Sequence, residues 1–312
     1  MNDDDPFTGE QDATYQVSPE LALLIARAND LLARVDAWLP APPPRVDWSV
    51  TLACRWRRRL SNGYLVPVTT LSCPPWEALR GIDAQKATFE RNARQFLRGL
   101  PANHVLLAGS RGCGKSSLVK ALLARHARRG LRLVEVERAD LGDLPELCAR
   151  LAGQPWRFLL FADDLSFAAD DPGYKPLKAA LDGSIAGLPD NVLICATSNR
   201  RHLMPEFFSE NQQATRADGE VRPGESTEEK ISLSDRFGLT LTFHPFDQDA
   251  YLAIVAGWVE ALGGRIDGPL REEALRWAIQ RGGRSGRVAQ QFARDWVGRQ
   301  GLARKRRSNT MN

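Results

Sequence analysis

Residues 105–118 read VLLAGSRGCGKSSL. The apolar run Val105–Ala108 meets Gly109-Ser110-Arg111-Gly112-Cys113-Gly114-Lys115-Ser116, which fits GxxxxGK[ST], and a helical pattern follows from Leu118 to His126. That is the strand, loop and helix context in which this pattern cradles a phosphate. Glycines let the loop wrap so that successive backbone N–H groups point inward, at the positive end of the following helix. Lys115 is then expected to reach the β- and γ-phosphates and the Ser116 hydroxyl to ligate Mg²⁺. Gly109 to Ser117 together form the expected nucleotide-binding set. Cys113 reads either as filler or, because a helix N-terminus lowers a thiol pKa, as an oxidation-sensitive position.

Working outward, short apolar runs alternate with helical segments: Val105–Ala108, Leu131–Val136, Phe158–Ala162, Val192–Thr197 and Leu239–Phe243. Continuous apolar runs separated by helices indicate strands buried on both faces of a parallel sheet, so a five-stranded α/β core is expected. After Pro245 the strand runs stop and three helical stretches follow, Asp247–Leu262, Pro269–Gln280 and Ser285–Gly298, a small all-helical unit. Upstream, Ser18-Pro19-Glu20 starts an amphipathic helix that Pro40 ends. Residues 41–76 read as irregular. The basic cluster Arg55 to Arg59 around Trp56 is either a nucleic-acid platform or a helix face whose arginine stems cover apolar surface. The polar stretch Glu210–Lys230 reads as a mobile loop. The expected division is 1–78, an N-terminal extension; 79–245, the α/β core; 246–300, a helical lid; and 301–312, a basic tail.

A phosphate loop needs a metal-positioning carboxylate from another strand. FLLFADD, residues 158–164, supplies an apolar strand ending in two acids, with Asp163 lying 48 residues after Lys115. Asp163 is the candidate Mg²⁺-side acid and Asp164 the candidate base for an attacking water.

These motifs carry a resemblance. With Thr197-Ser198-Asn199 ending the next strand, Ser234-Asp235-Arg236-Phe237 before the last strand and a helical C-terminal unit, the chain resembles the AAA+ ATPases. The phrases FADDLSF (161–167), NVLICATSNRRHL (191–203) and SLSDRFGL (232–239) are similar to a bacterial AAA+ family catalogued as a domain of unknown function, over about residues 79–299. The resemblance implies ATP and Mg²⁺ as cofactors and a homo-oligomer that remodels a partner. Asn199 matches the polar sensor that orients the lytic water; its other reading is a cap on a helix over 200–207. Arg236 matches the arginine finger acting in trans on a neighbour's γ-phosphate; its other reading is a salt-bridged surface arginine. Arg287, with Arg284 in reserve, matches the lid sensor, and Gly81 with Ile82 the segment that packs on adenine. Two departures stand out. Asp164 replaces the usual Glu, which points to slow hydrolysis, and Glu137 to Gly142 lacks the aromatic of protein-threading pore loops.

Composition bounds the rest. With 312 residues, 43% hydrophobic and 26% charged, the chain is long enough for a sizeable core and too apolar to be disordered throughout. The net charge of +4 is unevenly spread: from Arg271 onward there are 11 basic and 3 acidic residues, a balance of +8, leaving 31 against 35, or −4, for the rest. Arg304 to Arg307 are either a contact for nucleic acid or an acidic partner, or a solvated run. Five scattered cysteines without a CxxC pair support neither a disulfide framework nor a zinc site. The acidic start (Asp3, Asp4, Asp5) reads as no export signal, and charges at Arg27, Asp30, Arg34 and Asp36 argue against a membrane span. A cytoplasmic protein is expected.

Overall fold

The computed structural model describes residues 18–38, 45–59, 62–167, 172–182, 187–199, 215–217, 220–222 and 233–309. The chain packs as two units, 1–44 and 45–312. Among the described residues of the first lies the helix α1 (Pro19–Trp38), on which Leu21, Leu24, Ile25 and Leu32 are exposed.

The second unit is built on a seven-stranded sheet. Its strands are β1 (Ala53–Arg59), β2 (Asn62–Pro67), β3 (Val105–Gly109), β4 (Leu131–Glu135), β5 (Arg157–Ala162), β6 (Val192–Ser198) and β9 (Leu239–Phe243), in the order β2-β1-β4-β5-β6-β3-β9. All neighbours run parallel except β2, which is antiparallel to β1. The expected α/β P-loop core and helical lid are present, but the sheet has two strands more than the five expected. β3 to β6 are buried almost throughout and match the apolar runs in the sequence.

The two extra strands come from the stretch read as irregular, and the Arg55 to Arg59 cluster sits on a strand rather than a helix. In the middle of β1 burial alternates, with Cys54 and Trp56 fully buried and Arg55 between them exposed, while Arg57 is half-buried and Arg58 exposed. A half-buried hairpin at a sheet edge gives no continuous apolar run, so a search for such runs passes over it. The arginines are matched by acids from the neighbouring segment. Arg55 Nε lies 2.8 Å from Glu135, Arg57 pairs with Glu137, and Arg58 lies 3.4 Å from Asp143. Asp143 also accepts from the buried Trp56 indole N–H at 3.1 Å. Paired within the chain, Arg55, Arg57 and Arg58 form a structural zipper between β1 and the segment after β4, which counts against their serving as a nucleic-acid platform.

Helices cover both faces of the sheet. The face carrying α2 (Asp83–Leu97) and α3 (Lys115–His126) buries Phe89, Phe96, Leu118 and Leu122 against Val105, Leu107 and Phe161. The opposite face, with α4 (Leu144–Leu151) and α5 (Lys175–Asp182), packs Leu147, Leu151 and Leu177 against Leu106, Leu160 and Ile194. Truncating one such leucine to alanine costs about 2–5 kcal/mol. Arg132, 2% exposed, donates to the carbonyls of Trp48, Ala127 and Leu131, and so ties the segment before β1 to the core.

The lid comprises α6 (Gln248–Ala261), α7 (Leu270–Gln280) and α8 (Gly286–Asn309) around Tyr251, Val255, Phe292 and Trp296. Asp247 caps α6 by accepting from the Ala250 N–H at 2.8 Å. α8 continues past Gly298 to Asn309, so the basic run Arg304 to Arg307 extends a helix; its side chains lie outside the described residues. Within 210–230, the short strands β7 (Thr215–Ala217) and β8 (Glu220–Arg222) pair antiparallel, and the rest lies outside the described residues. Among the described residues, no helix is long and apolar enough to cross a membrane.

Candidate functional site

β3 lies between β6 and β9, and β6 lies beside β5. The carboxyl ends of β3, β5 and β6 therefore open on one crevice, where the connections leave toward opposite edges of the sheet. In open α/β sheets that is where ligands bind. The crevice is a cavity of about 500 Å³, within the usual range for a small-molecule site.

Its floor is the loop after β3. Gly109 has φ 128, and a Cβ there would come within 2.0 Å of the Phe243 carbonyl oxygen, so only glycine lets β3 and β9 approach this closely. The Ser110 N–H donates to the same carbonyl at 3.0 Å. Lys115, 6% exposed, donates from Nζ to the carbonyls of Gly109 and Ser110, both at 2.8 Å, and to Asn199 Oδ1 at 3.0 Å. Burial holds its pKa below the usual lysine value, with Asp163 and Asp164 partly offsetting this. A buried cation resting on neutral acceptors at the mouth of a polar cavity is arranged to accept an anion.

The two acids follow β5. Asp163 Oδ1 accepts from the Ser116 hydroxyl and from the Thr197 hydroxyl, each at 2.6 Å. Asp164 Oδ1 accepts from Asn199 Nδ2, and its Oδ2 lies 3.8 Å from Arg111. The donors at the loop are a hydroxyl and carboxylates. That set fits Mg²⁺, which takes few protein ligands and fills its shell with phosphate oxygens and water.

The lid roofs the cavity. The Gly286 N–H at the start of α8 donates to the Gly112 carbonyl at 2.8 Å, and Arg287 and Gln290 line the space beyond. The apolar end is lined by Ala78, Leu79 and Ile82 from the core and by Phe246, Ile254 and Trp258 from the lid side.

Of the residues singled out from sequence, Arg111 to Ser117, Ile82, Asp163, Asp164, Asn199 and Arg287 line this cavity. Gly109 and Ser110 lie beneath it. Gly81 packs against Phe246 and is not among the lining residues, and neither is Arg284. Arg236 lies outside the cavity and is ion-paired with Asp182 at the end of α5, the contact that a surface salt bridge would make. The helix that Asn199 would cap falls outside the described residues. Cys113 is 2% exposed and its Sγ lies 3.2 Å from the His244 carbonyl. Burial raises its pKa, with Lys115 partly offsetting this, and the thiol is shielded from solvent, which counts against the oxidation-sensitive reading.

Thr197, Phe246 and Trp258 were not singled out. Thr197 stood in the quoted strand-end triplet, but only its register beside Asp163 marks it. The two aromatics come together through the lid's packing, which no local pattern announces.

A profile of the family described as "Protein of unknown function (DUF815)" matches residues 49–300, beginning just before β1 rather than near residue 79. No curated protein matches the chain. Among solved structures, the RuvB Holliday junction branch migration motor of Thermotoga maritima is similar at 17% identity and TM-score 0.45, over 70% of this chain and 64% of that one. The Aeropyrum pernix Orc1 protein in complex with DNA matches at 16% identity and TM-score 0.48, over 69% of this chain and 58% of that one. The FIGL-1 AAA domain in complex with ADP matches at 16% identity and TM-score 0.47, over 71% and 72%. The chain thus spans under two thirds of the length of the first two.

Proposed function

The chain belongs to the family described as "Protein of unknown function (DUF815)", and from that premise we propose that it is a Mg²⁺-dependent ATPase of AAA+ type that acts as a homo-oligomer on an unidentified protein partner. One observation carries the reading: Lys115, Ser116, Asp163, Asp164 and Asn199, joined through Thr197 and drawn from three strand ends, form one hydrogen-bonded constellation at a cavity roofed by a helical lid.

In this reading the backbone of residues 109–115 and the Lys115 ammonium bind the β- and γ-phosphates. Ser116 and Asp163 hold Mg²⁺, which when bound supplies a Lewis acid that neutralises charge on the phosphoryl oxygens. Asp164 takes the proton of the attacking water and Asn199 orients that water. Arg287 reaches the nucleotide from the lid, while Gly81 and Ile82 pack on the base. Arg236 leaves Asp182 to complete the site of an adjacent subunit, where a cation stabilises transition-state charge. Residues 79–245 act as the nucleotide core, 246–300 as the lid, and 1–78 and 301–312 as appended contact segments, in the cytoplasm.

The test is ATP turnover as a function of protein concentration. Arg236→Ala is expected to abolish turnover, with partial recovery on mixing with Lys115→Ala subunits, since each supplies what the other lacks. No recovery removes the trans role.

A second reading, a slow nucleotide-dependent switch or loader, is favoured by the short Asp164 side chain and its contacts to Asn199 and Arg111. Turnover well below about 1 per second supports it. Nucleic acid is the alternative partner through the end of α8. Binding that falls steeply with salt and is lost on deleting residues 304–312 supports that surface.

A further inference from the structure

Among the described residues, Asp164 is the sole non-glycine with positive φ, at 54°. L-residues avoid this left-handed region because Cβ meets the following carbonyl; Asp and Asn enter it more readily than other side chains. A conformation of this kind persists only where the surroundings impose it.

The imposing residue is Thr197, near the end of β6 and 1% exposed. Its hydroxyl accepts from the Asp164 N–H at 2.8 Å, and its carbonyl accepts from the Leu165 N–H at 2.7 Å. Both peptide groups around Asp164 are thus pinned to one residue. The hydroxyl has one proton, and it donates that proton to Asp163 Oδ1 at 2.6 Å. A single side chain therefore orders both acids: one by accepting from its backbone, the other by donating to its carboxylate.

We propose that Thr197 is the positioning residue of this site, and that by holding Asp164 left-handed it directs the Asp164 carboxylate onto Asn199 and sets aspartate, rather than glutamate, as the acid the site takes. This rests on the ATPase reading for its kinetic consequence but not for its structural one. Valine is nearly the shape of threonine and would fill the same core volume, so the hydroxyl alone separates a positioning role from a packing role. Without it the Asp164 N–H loses its acceptor, and only the Leu165 N–H bond to the Thr197 carbonyl remains, which by itself does not hold Asp164 left-handed.

The experiment compares Thr197→Val and Thr197→Ser with the wild type by crystal structures without nucleotide and by kcat and KM for ATP. Thr197→Val is expected to return Asp164 to negative φ and to lower kcat by about tenfold or more, both hydrogen bonds of the hydroxyl being lost together, with KM within about threefold. Thr197→Ser, which keeps the hydroxyl, is expected to retain positive φ and a kcat within about threefold of wild type. Should Thr197→Val not fold, Thr197→Ala carries the same expectations. An Asp164 that stays left-handed without the hydroxyl overturns the proposal, and so does an unchanged kcat in an active protein. A wild type without turnover sinks the ATPase reading instead, and φ at residue 164 then decides the positioning claim alone.

Discussion

The Gly286 N–H donates to the carbonyl of Gly112 at 2.8 Å, so the last helix of the lid begins on the phosphate loop itself. A side chain on either residue would crowd the other segment. A Cβ on Gly112, where φ is 77, would lie 2.9 Å from the Ser285 Cβ, and one on Gly286 would lie 3.0 Å from the Gly112 oxygen. Gly112→Ala combines backbone strain with this clash, a cost of about 1–2 kcal/mol. It is expected to weaken nucleotide affinity by about tenfold in a fluorescent-nucleotide titration. Unchanged affinity would mean that the loop and lid are not coupled as described.

Lys115 offers its charge to two carbonyls and to Asn199 Oδ1. Hydrogen bonds to charged groups contribute about 1.5–3 kcal/mol. Lys115→Ala is therefore expected to lower ATP affinity by about 10- to 100-fold while leaving the far-UV circular dichroism spectrum unchanged.

Ser116 and Thr197 both donate to the same oxygen of Asp163. Ser116→Ala and Asp163→Asn should raise the Mg²⁺ concentration that half-activates turnover by about tenfold, the first by removing an oxygen ligand and the second by removing the carboxylate's charge from a cation that takes few ligands from the protein. A Mg²⁺ dependence identical to wild type in both variants contradicts their assignment as metal ligands.

Asp164→Glu installs the acid more usual in this position and is nevertheless expected to lower turnover. Glutamate tolerates the left-handed backbone less well, at a cost of about 1 kcal/mol. Faster hydrolysis by the glutamate variant would return the case to side-chain length alone.

His126 is buried and His104 half-buried, and desolvation holds both pKa values below 6.5. His104 Nδ1 accepts from the Ile194 N–H at 3.2 Å, which requires an unprotonated nitrogen. Both ring nitrogens of His126 are without a hydrogen-bond partner, although Glu90 stands 3.5 Å from Nε2. With native pKa values depressed, the unfolded chain binds more protons below pH 6.5. The stability from the neutral rings is therefore present above about pH 6.5 and is lost as pH falls below it. Chemical denaturation from pH 8 to pH 5 should show that decline, and His104→Gln should flatten part of it.

The core strands and the phosphate loop were legible because both are local: an apolar run marks a strand buried on two faces, and a spaced glycine pattern marks a loop. Ser116 and Asp163 lie 47 positions apart yet bond directly, which the chemistry of a phosphate site anticipates. β1 escaped because its arginines face out, and the acids that balance them come from 80 residues or more further along. Thr197 escaped for a related reason. Its role comes from the register of β6 beside β5 and from a backbone dihedral at Asp164, neither of which the sequence writes down. Arg236 was visible as a motif, but its pairing with Asp182 is a contact between a loop and a distant helix end.

The assignment of an assembled ATPase is tested by ATP hydrolysis of the purified protein with Mg²⁺, beside Asp164→Ala, over a range of protein concentrations with mass followed by light scattering. Turnover is expected to rise with assembly and to be lost in Asp164→Ala while nucleotide still binds. Turnover equal in the two proteins, or a protein that binds no nucleotide at all, would contradict it.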